Sequence, residues 1–244
     1  MHIPNGFLDP KVSAGTAFAA AGVLGYCISK VRQALSYAVP EALLSGAGNF
    51  AVNISDRSKK IVSSLAENHI MKMGAVASLI FAAQMFNFPI NNGTSGHLLG
   101  GVIAAIALGP FSGTIAISVV LIIQSLIFAD GGITALGANI LNMAVIGTFA
   151  SYYIYYFINK LIRNDLGFNL GIFFAAFFSV LFASIACALE IGLSGTIALN
   201  RIIPAMAYVH ARIGLAEAIL SIIAIEFLSL MKIELEGRVI HEKK

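Results

Sequence analysis

Residues 170–191 read LGIFFAAFFSVLFASIACALEI, with Glu190 the one charged residue among them. As a helix this run rises roughly 33 Å, about the thickness of a bilayer's hydrocarbon core, and a helix bonds its backbone polar groups within the segment. Similar apolar bodies recur at about Val12–Ile28, Gly74–Ile90, Leu98–Leu108, Phe111–Phe128, within Ala138–Ile162, and Gly214–Met231. The 244 residues are 58% hydrophobic and 11% charged, against roughly 25% charged in soluble domains. Mean hydropathy is +0.87. The expected fold is all-α: a polytopic membrane protein of about seven transmembrane helices, one membrane-embedded domain over residues 1–244. The net charge of +3 is too small to point to nucleic acid.

The connections carry the polarity. Residues 33–72 include Pro40, Glu41, Asp56, Arg57, Lys59 and Lys60 and read as a long loop with room for a short surface helix around 60–70. Asn91-Asn92-Gly93-Thr94-Ser95-Gly96-His97 reads as a polar hairpin. Gly109-Pro110 breaks a helix, Ala129–Gly132 forms a tight turn, residues 192–213 read as a loop, and 232–244 as a charged tail. With seven spans and the amino terminus outside, Lys30, Arg32, Arg57, Lys59, Lys60, Lys72, Lys160, Arg163, Lys232, Arg238, Lys243 and Lys244 face the cytoplasm. Only Lys11, Arg201 and Arg212 lie opposite, so twelve of fifteen basic residues share one side, as the positive-inside rule requires. The expected orientation is amino terminus out and carboxyl terminus in, at a prokaryotic-type plasma membrane.

That orientation places Met1-His2, the 91–97 hairpin, Asp130-Gly131-Gly132 and the 192–213 loop on one side. The terminal amine, the backbone nitrogen of His2 and its imidazole can close adjacent five- and six-membered chelate rings on one ion. This nearly planar nitrogen set suits Ni(II) or Cu(II) and leaves one in-plane position open. His97 supplies a neutral imidazole for it. Around His97, Asn91, Asn92, Thr94 and Ser95 read either as caps for the turn's own backbone or as groups that orient the ligands. The stretch after His2 has no basic n-region and no long apolar run, so it is not expected to be a targeting peptide.

Other polar residues in apolar surroundings have structural explanations. Asn139 and Asn142 are expected to bond between helices or to lie under the metal site, with even claims. Glu190 and Glu217 are expected to pair with Arg201 or Arg212. His69, His210 and His241 are read as lying apart from the cluster. Cys27 and Cys187 are packing residues, since no CxxC or Cys/His cluster exists. The sequence contains no GxxxxGK[ST] loop and no hydrolytic constellation, so ATP use must come from a partner and the chain is not read as an enzyme.

Three stretches together, MHIPNGFLDP at the terminus, NNGTSGHLLGG at 91–101 and FADGGITALGANILNMA at 128–144, resemble the CbiM/NikM proteins. These are the substrate-binding membrane subunits of energy-coupling-factor cobalt and nickel importers. The resemblance implies Co2+ or Ni2+ as transported ion and no catalytic cofactor. It implies a metal held by the amine and backbone nitrogen at Met1-His2, the His2 imidazole and His97. It implies as partners a transmembrane coupling subunit, two ATPase subunits and often a small accessory membrane protein. Where the family usually has an acidic residue this chain has Asn5, which removes one charge near the site. The rival reading is a secondary transporter or channel for another solute, with His97 lining a pore and no ATPase partners; an integral membrane enzyme using His97 and Glu190 is less favoured, because no catalytic constellation gathers on one face.

Overall fold

A computed structural model describes residues 1–45, 54–85, 88–90, 94–231 and 235, with side chains at 37–45, 54–63, 88–90 and 94–95 outside the description. The chain is helical almost throughout: α1 Pro10–Ser45, α2 Ile54–Gln84, α3 Gly101–Ile127, α4 Leu136–Asn139, a π-helical segment Ile140–Ile146, α5 Gly147–Leu161, α6 Asp165–Leu193 and α7 Leu199–Leu230. One two-stranded antiparallel hairpin, β1 Phe88–Ile90 and β2 Thr94–Gly96, stands between α2 and α3. The fold is otherwise all-α, as expected, but the segment expected to run to Ile90 ends at Gln84 instead.

Five helical stretches are long and apolar enough to cross a membrane: Pro10–Ser36, Gly101–Ile127, Leu136–Leu161, Asp165–Leu193 and Leu199–Leu230. The difference from about seven has two sources, α2 and α3. α2 spends its first half on charged residues, so its average polarity is too high. Those charges suggested a loop over 33–72, yet α1 continues to Ser45 and α2 begins at Ile54. No glycine or proline lies between Ile54 and Met73, so nothing opposes helix there.

α3 combines two expected segments, Leu98–Leu108 and Phe111–Phe128, across a break at Gly109 (φ 73, ψ 169). Only glycine takes that conformation without strain, and Pro110 then starts the next limb with no amide hydrogen to satisfy. The two limbs turn back on one another. A Cβ at Gly113 would lie 2.9 Å from the Ala104 carbonyl oxygen, whereas nine residues of straight helix rise roughly 13.5 Å. Gln84 likewise bonds the Leu99 carbonyl with its amide nitrogen (2.8 Å) and receives Gln124 on its oxygen (3.0 Å), from opposite ends of α3. α3 is a helical hairpin with its bend at Gly109.

The first limb is the core of the molecule. Every residue from Gly101 to Gly109 is buried. It packs close to α5 because Gly101 has no side chain: a Cβ there would sit 2.5 Å from the Gly147 carbonyl oxygen. Around it stand α1, α2, α5, α6 and α7, which expose large apolar side chains such as Phe18, Leu193 and Leu230 outward. The 192–213 region is not mainly a loop, because α7 starts at Leu199 and carries Arg201, Pro204 and Arg212 within it. The loop before this short limb of eight residues, Gly101 to Leu108, carries His97, which is fully buried.

Candidate metal centre

Residues 1–3 are inserted into the bundle. Met1 and Ile3 are fully buried and His2 is 4% exposed. Asn139 secures them by pairing with both main-chain groups of one residue: its Oδ1 accepts from the Ile3 amide (2.8 Å) and its Nδ2 donates to the Ile3 carbonyl (3.2 Å). The Gly132 amide donates to that same carbonyl (2.8 Å). Asn5 Oδ1 accepts from the amide and the hydroxyl of Thr134, both at 3.0 Å. A carboxylate could accept both bonds equally, so the amide at position 5 keeps the contact while removing the charge.

The glycines of the Asp130 turn make room for this insertion. A Cβ on Gly131 (φ +90) would lie 2.8 Å from His2 Nδ1, and one on Gly132 would lie 2.4 Å from the Asn5 backbone nitrogen. Farther along, a Cβ on Gly137 would meet Ala17 Cα at 2.4 Å, bringing α4 against α1. Thr196 donates its hydroxyl to the Phe7 carbonyl and Cys187 donates Sγ–H to the Met1 carbonyl at 3.7 Å. The stretch 128–144 is thus a cradle for the first residues. Asn139 lies under the terminus, while Asn142, in the π-helical turn, donates to Glu190 Oε2 at 2.5 Å.

His97 is fully buried and its ring centroid lies 4.6 Å from that of His2. Its Nδ1 is 2.7 Å from the Leu98 carbonyl oxygen. A carbonyl only accepts, so Nδ1 carries the hydrogen and Nε2 keeps its lone pair, buried and without a hydrogen-bond partner. The loop below is held by Glu217, which accepts from the amides of Leu99 and Gly100. Glu217 and Glu190 therefore do not pair with Arg201 or Arg212. Arg212 instead lies over the Tyr208 ring, 4.3 Å from its centroid.

The electrostatics favour neutral donors. Burial pushes the Met1 amine from 8.0 down to about 5, against the opposing influence of Cys187 and Asp130. Burial, then the terminal amine, pushes His2 from 6.5 down to about 3. His97 is held well below the usual range by burial first, then by the amine, His2 and His210, against its bond to Leu98. Asp130 Oδ2 stands 3.6 Å from His2 Nε2. Chelation through Nδ1, which the six-membered ring requires, would leave Nε2–H to that carboxylate, a common way of fixing a ligating imidazole.

The structure brings Met1, His2 and His97 together. Of the expected orienting residues, Asn91 and Asn92 lie outside the described residues, and Thr94 and Ser95 are described only as the backbone of β2; the tail from 232 is outside too, apart from Leu235. Among the described residues no group of three His, Cys, Asp or Glu side chains could hold a metal. His210 is fully buried on α7, with Nδ1 2.8 Å from the Met206 carbonyl oxygen. The loop reading of 192–213 hid that His210, Gly214, Glu217 and Ser221 share one helical face.

The chain matches the family described as CbiM, cobalt uptake substrate-specific transmembrane region, over residues 2–235. It is 37% identical over 219 residues to a protein of Archaeoglobus fulgidus provisionally named a fused nickel transport protein NikMN, covering 89% of this chain and 61% of that one. It is 31% identical over 166 residues to a cobalt transport protein CbiM of Lachnoclostridium phytofermentans, covering 68% of this chain and 55% of that one. This chain thus spans somewhat less than two thirds of these relatives. A crystal structure of a transition metal transporter superposes with a TM-score of 0.75 at 30% identity, covering 99% of this chain and 97% of that one. The S component of a bacterial energy-coupling-factor transporter shares the fold alone, with a TM-score of 0.52 at 15% identity over 69% of this chain and 99% of that one. The chain belongs to the CbiM family.

Proposed function

We propose that this chain is the metal-capturing membrane subunit of an ATP-driven energy-coupling-factor importer for cobalt or nickel ions. The observation that carries this reading is the burial of Met1, His2 and Ile3 against His97, in a pocket of neutral nitrogen donors. The donors are the Met1 amine, the His2 backbone nitrogen, His2 Nδ1 and His97 Nε2. Ion binding displaces the His2 amide proton, which Ni(II) and Cu(II) do more readily than most divalent ions. The names of the relatives, which cover nickel and cobalt, favour those two ions as cargo.

In this reading α1, α2, the two limbs of α3, the segment Leu136–Leu161, α6 and α7 make seven crossings. Met1 then lies at the outer face and the carboxyl end at the cytoplasmic face, which the distribution of basic residues supports. The Gly109 bend falls at the inner end, beside Lys30 and His69. ATP hydrolysis belongs to two partner ATPases acting through a transmembrane coupling subunit.

One residue placed before Met1 tests the site. It turns the amine into an amide and leaves helices and membrane insertion alone. Ni(II) and Co(II) binding to the purified extended chain is expected to be lost. A pore lined by His97 would be indifferent to the extension, so unchanged binding would sink the proposal.

A further inference from the structure

The bend of α3 opens onto a cavity of about 250 Å³, at the far end of the first limb from His97. Leu108, Gly109, Phe111 and Ser112 form one wall, and Lys30 of α1 and His69 of α2 stand across from them. None of its described lining residues is acidic.

The polar groups of this cavity are suited to an anion. His69 Nε2 lies 2.9 Å from Ser112 Oγ. In either tautomer that pair spends one hydrogen between its members and keeps another to offer. It is the Nδ1–H when Nε2 accepts, and the Ser112 O–H when Nε2 donates. Lys30 brings an ammonium, which donates and cannot accept. Its Nζ is 5.4 Å from the centre of the Tyr26 ring, a cation–π contact that anchors the charge. Pro110 begins the second limb of α3, so the positive end of that helix's dipole lies at the same wall.

The depth of the cavity is that of a lipid headgroup. From Pro10 to Lys30, α1 rises roughly 30 Å, the thickness of a hydrocarbon core. Ring contacts run from Tyr26 to Phe111 (5.9 Å), to Phe149 (5.7 Å) and to Tyr153 (6.3 Å). Tyr26 and Tyr153, at the two ends of this row, are exposed. Tyrosines collect where the bilayer meets water, and the chain has no tryptophan to take that place.

We propose that this cavity binds the phosphate of an anionic phospholipid, with Lys30 as its counter-ion and the His69–Ser112 pair as its hydrogen-bond donor. A basic pocket between transmembrane helices on the cytoplasmic side has the chemistry for such a headgroup. Sites that enclose a drug-sized molecule run to roughly 300–1,000 Å³. This one is smaller, so it takes the headgroup and leaves the acyl chains outside. The bound lipid joins α1, α2 and the α3 bend. Its assignment to the inner leaflet rests on the orientation proposed above, whereas the cavity shares no residue with the metal donors.

Native mass spectrometry tests this on the purified full-length chain, offered phosphatidylglycerol and phosphatidylcholine with the same acyl chains. Phosphatidylglycerol is expected to be retained about fivefold more, the scale set by one cation near an anionic headgroup. Lys30→Gln is expected to abolish the preference. Lys160→Gln removes an equal charge from an exposed position on α5 and is expected to keep it. Equal retention of the two lipids by the natural chain overturns the inference without recourse to any variant. A preference that survives Lys30→Gln, or falls as far in Lys160→Gln, also overturns it, because the lipid is then not held in this cavity. Inorganic phosphate is the remaining arm. If it protects the chain against thermal unfolding as well as phosphatidylglycerol does, the ligand is a free anion and the lipid assignment fails. The chain extended before Met1 is expected to keep the lipid preference while losing metal, so the lipid site and the capture site fail or stand separately.

Discussion

Glu217 Oε1 accepts a hydrogen bond from the Gly100 amide at 2.8 Å, and Oε2 accepts one from the Leu99 amide at 2.5 Å. These amides open the first limb of α3, where a helix has no internal acceptors to offer. A carboxylate on the last helix thereby fastens the loop that carries His97.

Removing that carboxylate strands two buried N–H groups. Glu217→Ala is expected to destabilise the protein by roughly 2–6 kcal/mol, taking about 1–3 kcal/mol for each unsatisfied donor. Glu217→Gln, which keeps one accepting oxygen, should fall between the two. Thermal unfolding of the purified proteins in detergent measures the order. A Glu217→Ala protein that melts like the parent would show the two bonds to be unimportant.

This contact also shows where reading the sequence stops. Met1-His2 and His97 were legible because their donor types and a shared side of the membrane follow from residue identity and charge. The 170–191 segment and the Gly109-Pro110 bend were legible because hydropathy and backbone chemistry are local. Glu217 was not, since its partners are backbone amides, which every residue has and no sequence displays. An arginine was the natural partner to expect. The first half of α7 was missed for a different reason: Arg201 and Arg212 made residues 192–213 look like a loop, and without a helix there is no face on which to place their side chains. The pairing of Asn139 with the Ile3 peptide is again side chain to backbone, so no spacing between position 3 and position 139 announces it.

Asn139→Ala removes both halves of the clamp on Ile3 while leaving the Gly132 bond to the same carbonyl. The helices keep their packing, so the protein is expected to fold. Metal affinity should fall about 10–100-fold, as when other groups that orient ligands are lost. Isothermal titration with Ni(II) checks it. Asn139→Asp, which still accepts from the Ile3 amide but no longer donates as a carboxylate, should fall less far.

Gly132→Ala tests the cradle by volume alone. The added methyl would sit 2.4 Å from the Asn5 nitrogen and 2.6 Å from the Pro4 carbonyl carbon, both backbone atoms that cannot swing aside. The terminus must then leave its seat. The expected result is a folded protein with little Ni(II) binding and a Met1 amine open to acylating reagents. Gly195→Ala is the control: its φ of +71 adds backbone strain that Gly132→Ala does not have, but no atom lies within 4 Å of the added methyl. It should keep metal binding.

The buried amine predicts how many protons a metal ion releases. With its pKa lowered from 8.0 to about 5, the docked terminus binds fewer protons than a free one between those values. Docking is therefore favoured as pH rises through that window and weakens as pH falls through it. His2, lowered from 6.5 to about 3, acts in the same direction over its own lower window. At pH 7 the docked amine and imidazole are already neutral, so Ni(II) has only the His2 amide proton to displace. Titrations in buffers of different ionisation enthalpy should show release of about one proton per ion at pH 7. In Gly132→Ala, where the amine is exposed and mostly protonated at that pH, any remaining binding should release about two. Below pH 5 the natural chain should approach the larger number and its affinity should fall more steeply. Release of two protons at pH 7 from the natural chain would mean that the amine is charged before the metal arrives, and that burial does not prepare it.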